Sequence, residues 1–290
     1  MAIFVDSDTR IIIQGITGTQ GSYHAKKMLE YGAGLVGGTS PGKGGQVVEG
    51  VPVFDMVAEA RDAVGAQASM ILVPAVGVYD AGVEAIEAGL ELVVIITEHV
   101  PVHDAMRLVG LAKRRGVRLI GPNTIGVISP GLSKVGIMPG YIYSRGPVGI
   151  VSRSGTLTHE VSSNLTFRGI GQSTCVGIGG DPIIGTTFID VLAALRDDPE
   201  TKVVVLIGEI GGAAEERAAA YIKDTAYPKP VVAFIAGQTA PPEKRMGHAG
   251  AIVQGSAGTA ASKIMALTEA GVVVSPTLDT VLDEVKRTLA

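Results

Sequence analysis

The sequence predicts an α/β protein of two successive domains, each built on a mainly parallel sheet. Three observations carry this. Short Val/Ile-rich runs alternate with helical patterns along the chain, as βαβ units require. Two of those runs lead through glycine-containing turns into helices. The 290 residues suffice for two cores of ordinary size, and the alternation lapses once between them.

In the first half, strands are expected at residues 10–14, 35–38, 69–74, 92–97 and 118–121. Helical patterns fill the gaps at 22–31, 55–64, 78–88 and 102–115. Five strands with intervening helices make a Rossmann-like domain over residues 1–122. From 123 to 146 Pro, Gly and Ser with scattered apolar residues read as a linker. A second series over 147–290 places strands at 148–152, 172–177, 202–208, 231–236 and 272–274. Its helices fall at 155–167, 188–196, 213–225, 259–269 and 278–289, and the series reads as a flavodoxin-like domain. There is no tandem repeat and no low-complexity tract.

Composition removes several function classes. Apolar residues make up 46% and charged residues 18%, with no uninterrupted apolar run of about 18 residues, so no membrane span is expected. The N-terminus lacks a basic segment followed by an apolar stretch and carries Asp6 and Asp8, so a cytoplasmic location is expected. A net charge of −4 without a basic block argues against nucleic acid and leaves small phosphorylated ligands open. Cys175 is the single cysteine, which excludes an internal disulfide and a cysteine-rich metal site, and its apolar run reads as core. Forty glycines against five Phe and no Trp mean that much backbone passes close to a ligand or to neighbouring elements.

The first glycine turn, Gly15-Ile16-Thr17-Gly18-Thr19-Gln20-Gly21, follows a strand and opens a helix, where free amide groups attract phosphate. A dinucleotide fingerprint wants G-x-G-x-x-G and an acidic residue ending the second strand. Here the spacing is G-x-x-G-x-x-G, and the second strand runs into Thr39-Ser40-Pro41-Gly42-Lys43. Lys43 in place of a carboxylate suits an extra phosphate, such as the ribose phosphate of coenzyme A or of NADP, and disfavours NAD. The alternative is a turn made only for tight strand-to-helix packing. Ile96, Thr97 and Glu98 end the fourth strand on the same face. His99 and His103 have i,i+4 spacing, but Pro101 interrupts the face and no third ligand is near, so they read as loop and helix start, with no metal site. His24 reads as a support of the glycine turn.

In the second domain Ser152-Arg153-Ser154-Gly155-Thr156 is again strand, turn and helix, with Ser154 able both to cap the helix and to bind an anion. Glu209 stands at a strand's carboxyl end among glycines. His248, in Lys244-Arg245-Met246-Gly247-His248-Ala249-Gly250, lies beyond the strand at 231–236, where open α/β sheets bind ligands. A neutral imidazole there can attack phosphorus, and Glu209 is placed to orient it through the second ring nitrogen. The alternative for His248 is a loop histidine bonded to the backbone. One helix end contributes at most about 2 kcal/mol to an anion, less than a phosphohistidine needs, so further donors are expected. The chain has no G-x-x-x-x-G-K-[ST] loop, so a phosphoryl donor would bind elsewhere.

Taken together these segments resemble the α subunit of succinate–CoA ligase (succinyl-CoA synthetase) over essentially the whole chain. The matches run in order through both glycine turns, Gly121-Pro122-Asn123, Gly179-Gly180-Asp181-Pro182, Gly208 to Gly212 and Arg245 to Ala251. The resemblance implies an N-terminal CoA-binding domain using Thr17, Gly18, Thr19, Gln20, Lys43, Ile96, Thr97 and Glu98. It implies transient phosphorylation of His248, with Glu209 beside it and the helix end at Ser154 and Gly155 supporting the phosphate. It further implies a β subunit holding the nucleotide with Mg2+, and reversible joining of succinate and CoA with cleavage of a nucleoside triphosphate to diphosphate and phosphate, by way of succinyl phosphate. Two positions depart from the family. His159 stands where tyrosine is common and helps bind substrate, and Thr124 stands where many relatives have cysteine. The alternatives are a related acid–CoA ligase such as malate–CoA ligase and a non-catalytic CoA-binding protein. The Glu209 and His248 pair disfavours the second, and the missing ribose acid disfavours an NAD(P) oxidoreductase.

Overall fold

The computed structural model describes residues 2–240, 247–253 and 258–290, and the chain forms two compact units. The N-terminal unit comprises Phe4–Gly140 with Ile183–Thr186. Its elements are β1 (Ile11–Gln14), α1 (Thr19–Tyr31), β2 (Leu35–Thr39), β3 (Val47–Val48), β4 (Val51–Phe54), α2 (Val57–Val64) and β5 (Ala68–Ile71). They continue with α3 (Val78–Glu87), β6 (Leu92–Ile95), α4 (Val102–Arg115), β7 (Arg118–Ile120), β8 (Gly126–Ser129) and β9 (Ser133–Gly136). The sheet order β3-β4-β2-β1-β5-β6-β7 is parallel except for β3. All residues of β1, β5 and β6 are buried, because helices cover both faces and a strand so placed has no polar side. The chain moves outward from β1 through β2 and then returns to β5 on the other side. The carboxyl ends of β1 and β5 therefore flank the crevice where such sheets take ligands.

Two elements differ from expectation. The hairpin β3–β4 has no counterpart among the expected strands: β3, the edge strand, is only two residues long, and Pro52 interrupts the short apolar run of β4. Its turn, Glu49-Gly50, has φ of 50° and 85°, the two positive values of a tight hairpin connection. The stretch 123–146, expected as a linker, contains the buried antiparallel hairpin β8–β9, and the N-terminal unit extends to Gly140. Four-residue strands split by Pro130-Gly131-Leu132 show too little periodicity to stand out from a loop. Arg145 already belongs to the next strand.

The C-terminal unit comprises Met1–Ile3, Tyr141–Pro182 and Thr187–Ala290. It contains β10 (Arg145–Ser152), α5 (Gly155–Phe167), β11 (Gln172–Gly177), α6 (Phe188–Asp197) and β12 (Val203–Glu209). There follow α7 (Ala214–Asp224), β13 (Val231–Ala236), α8 (Ala260–Glu269), β14 (Val273–Val274) and α9 (Leu278–Leu289). Within the unit these strands lie in the order β14-β13-β12-β10-β11, all parallel. This is the flavodoxin-like order, with its switch point between β10 and β12. Every residue of β12 is buried, so its last residue, Glu209, carries a carboxylate to the sheet's edge through an apolar wall. Cys175, in the middle of β11, is fully buried, and burial pushes its thiol pKa up to about 12, so it is packing material. Among the described residues no helix is long and apolar enough to cross a membrane.

Candidate active site

In the N-terminal unit the turn after β1 is shaped by its glycines. Gly15 has φ 88°, and a β-carbon at Gly21 would strike the Gly15 and Ile16 backbone, so α1 starts closer to β1 than any larger residue allows. Gly18 is the N-cap of α1 and supplies no side chain, which leaves the first-turn N–H groups facing outward from exposed Thr19 and Gln20. Lys43 reaches this turn: its Nζ donates to Thr17 Oγ1 at 3.1 Å, and Thr17 Oγ1 donates to Ser40 Oγ at 2.9 Å. The loop after β2 thus brings a cation to the glycine turn. Ile96, Thr97 and Glu98 follow β6, two strands away, where Thr97 Oγ1 donates to the Val73 carbonyl and Glu98 is exposed. His99 and His103 are exposed. His24 is half-buried in α1, and burial followed by the Lys134 ammonium lowers its pKa.

In the C-terminal unit the switch point assembles a histidine and a carboxylate. His248 Nδ1 lies 2.8 Å from Glu209 Oε2; the histidine is about a quarter exposed and Glu209 is buried. The segment carrying His248 is tied down by Gly250 N–H to Gly180 C=O at 3.1 Å and Ala251 N–H to His248 C=O at 3.1 Å. A β-carbon at Gly180 would overlap the His248 ring, so the loop after β11 forms the wall against which the imidazole stands. A carboxylate only accepts, so Nδ1 carries the proton and the neutral ring presents its lone pair at Nε2. The hydrogen bond to Glu209 raises the histidine pKa first of all; burial and Arg153 oppose it and Asp181 adds to it. Lys244 and Arg245, singled out in the sequence, lie outside the described residues.

Ser154 is the N-cap of α5. Its Oγ accepts the Leu157 N–H at 3.3 Å and its own N–H donates to Ser152 Oγ at 3.0 Å, so this side chain is engaged in holding the turn. The N–H groups of Gly155 and Thr156 have no acceptor within the helix and form its anion-seeking end. His159, one turn further on, has Nδ1 2.8 Å from Tyr143 Oη, and burial lowers its pKa.

Sequence reasoning does not single out Arg153, Glu215 and Lys263 as site residues. Arg153 Nη2 is 3.3 Å from Glu209 Oε1, and Nη1 donates to the Gly211 carbonyl at 3.2 Å. Glu215 and Lys263 are fully buried and paired with each other. Taking such ions from water costs several kcal/mol each before pairing repays it, and removing one partner costs about 3–5 kcal/mol. A signal was available. Glu215 shares a buried helix face with Ala218, Ala219 and Ile222, and Lys263 shares one with Ala260 and Leu267, so each charge stands at an i, i+3, i+4 or i+7 position that otherwise holds apolar residues.

Residues 6–99 match the CoA binding domain family and residues 151–273 the CoA-ligase family. The α subunit of succinate–CoA ligase [ADP-forming] from Methanothermobacter thermautotrophicus is 56% identical over 287 residues, covering 99% of this chain and 97% of the relative. Subunit alpha 1 of the same-named ligase from Archaeoglobus fulgidus is 56% identical over 289 residues, covering 100% and 99%. Among solved structures, ATP citrate lyase from Methanothrix soehngenii, in complex with citrate and coenzyme A, superposes with a TM-score of 0.91 at 23% identity. That match covers 99% of this chain, which spans 50% of the lyase chain, and it bears on the fold alone. Identity above one half along nearly the full length of both partners settles the lineage: the chain belongs to the family of succinate–CoA ligase α subunits.

Proposed function

We propose that this chain is the α subunit of an ADP-forming succinate–CoA ligase in which His248 Nε2 carries the phosphoryl group. The observation that carries the reading is the bond from Nδ1 to Glu209 at the flavodoxin-like switch point, which leaves Nε2 as the nucleophile. In the synthetic direction Nε2 attacks the terminal phosphorus of ATP, the bond to the bridging oxygen breaks, and ADP leaves. A succinate carboxylate oxygen then takes the phosphoryl group from Nε2, forming succinyl phosphate and restoring the neutral ring. The CoA thiolate attacks the acyl carbon and phosphate leaves. Splitting the transfer replaces one difficult step by easier ones. The N–H groups at the start of α5 offset part of the phosphohistidine charge, and among the described residues Arg153, behind Glu209, adds a buried cation. The nucleotide with its Mg2+ belongs to a partner β subunit, since this chain has no triphosphate loop of its own. Where His248 meets that subunit, the nucleotide supplies the phosphoryl group and Mg2+ its charge neutralisation. A cytoplasmic site of action fits these substrates, and His159, held by Tyr143, is offered as a substrate contact.

The test is to combine the chain with its β partner and ATP labelled at the γ-phosphate. Acid-labile, alkali-stable label on His248 is expected, and label on any other residue refutes the assignment.

CoA is assigned to the glycine turn of the N-terminal unit, through Thr17, Gly18, Thr19, Gln20 and Lys43, with Ile96, Thr97 and Glu98 at the end of β6, two strands away. Losing one charge-assisted hydrogen bond of about 1.5–3 kcal/mol weakens binding roughly 10- to 100-fold. Lys43→Ala is therefore expected to raise the calorimetric Kd for CoA by about that factor. Dephospho-CoA should bind wild type and variant alike, because the group Lys43 contacts is then missing. Equal losses for both ligands would place Lys43 elsewhere.

A further inference from the structure

Behind the His248 and Glu209 pair the buried charges alternate in sign through the unit: Glu209, Arg153, Glu215, Lys263. Lys263 Nζ donates to Gly212 C=O at 3.0 Å, to Glu216 Oε2 at 2.9 Å and to Glu215 Oε2. Those three acceptors use all three protons of the ammonium, so this buried lysine has no donor left for a ligand. It acts through Glu215. One oxygen of that residue, Oε1, accepts the backbone N–H of Glu209 at 3.1 Å and faces Arg153 Nη1 at 3.6 Å. A single carboxylate thus grips both the backbone that carries Glu209 and the guanidinium that faces its side chain.

Glu209 depends on that grip. Its Oε2 is engaged with His248, while Oε1 is buried and accepts no hydrogen bond among the described residues, meeting only the Arg153 charge at 3.3 Å. Arg153 stands between two carboxylates. With Lys263 in place Glu215 has its own cation, and the field of Arg153 is left for Glu209 and for whatever negative charge arrives on His248. Without Lys263, Arg153 must serve both carboxylates and its hold on Glu209 weakens.

We infer that Glu215 and Lys263 are positioning residues for the phosphoryl carrier: they fix Arg153 and the Glu209 backbone where Glu209 orients His248, without touching substrate. The inference rests on His248 being that carrier. The helices α7 and α8, which pack on each other through this ion pair, thereby set the geometry of a histidine on neither of them.

The test is a double-mutant cycle in the complex with the β partner, reading single-turnover phosphorylation of His248 from ATP across pH. Lys263→Gln keeps hydrogen-bonding capacity but removes the charge, and Lys263→Met removes both. Each is expected to slow phosphorylation about tenfold or more, to move the acid limb of the pH profile in the direction that Glu209→Gln moves it, and to leave the CoA KM unchanged. In a Glu209→Gln background the same substitutions should slow it less than about threefold, because the group they position is already lost. If Lys263→Met does not fold, Lys263→Gln carries the cycle, with circular dichroism and a cooperative thermal transition of the full chain as the folding control. Fully additive losses, or an acid limb that stays in place, overturn the inference while leaving the phosphohistidine reading intact. Absence of label on wild-type His248 overturns both.

Discussion

His248→Asn is expected to lower succinate-dependent turnover of the reconstituted complex by about 10⁴-fold or more, equivalent to at least about 5 kcal/mol of transition-state stabilisation. The amide nitrogen of Asn has no lone pair to offer phosphorus, so the phosphoryl group must pass directly from nucleotide to succinate, and the covalent division of the reaction disappears. The substitution should leave the fold intact. His248 is about a quarter exposed on a glycine-flanked segment, and Asn can still donate toward Glu209. CoA binding is then unchanged. ADP–ATP isotope exchange is the sharper measurement, because it needs only the phosphoenzyme and neither CoA nor succinate. Exchange in His248→Asn at the wild-type rate would remove His248 from the reaction.

Glu209→Gln should cost roughly 10²–10³-fold in the phosphorylation step and displace its pH profile. As Nε2 bonds to phosphorus with Nδ1 still protonated, the ring gains positive charge, and a carboxylate 2.8 Å away stabilises it more than an amide can. The direction of the pH effect follows from the groups around the ring. Glu209 raises the pKa above the ordinary 6.5, Asp181 assists, and burial and Arg153 oppose. Phosphorylation needs the neutral ring, so the wild-type rate falls as the pH drops through a value above 6.5. In the Glu209→Gln variant the raising bond weakens, burial and Arg153 prevail, and the acid limb moves downward. The unphosphorylated protein shows the counterpart in stability. A pKa raised by folding stabilises fully below the unfolded value of 6.5 and loses that contribution as pH rises through the folded value. The Tm gap between wild type and His248→Asn should accordingly be wider near about pH 6 than near about pH 8.5. A gap that widens with pH would contradict the assigned environment of His248.

How much of this was legible in the sequence depended on whether the signal was local. The two strand–turn–helix segments at Gly15 to Gly21 and Ser152 to Thr156 announce themselves, because a helix that starts immediately after a parallel strand needs small or capping residues in a fixed order. Glu209 and His248, 39 residues apart, could be paired in advance since one ends and the other follows an apolar strand, both at the carboxyl end of the sheet. Element boundaries were less secure. The hairpin β8–β9 lay hidden in what read as linker, as its strands are too short for alternation to show.

Residue order by itself determined the α/β alternation, the two glycine turns, the cation offered by Lys43 and the presence of a histidine beyond a strand's end. Only the tertiary structure decided that Arg153, Glu215 and Lys263 form a buried chain behind Glu209, and that Gly180 walls the imidazole. Periodicity reports which face of a helix is turned inward. Whether a charge on that face meets its opposite depends on contacts between segments some fifty residues apart, which exist only once the sheet has set its strand order.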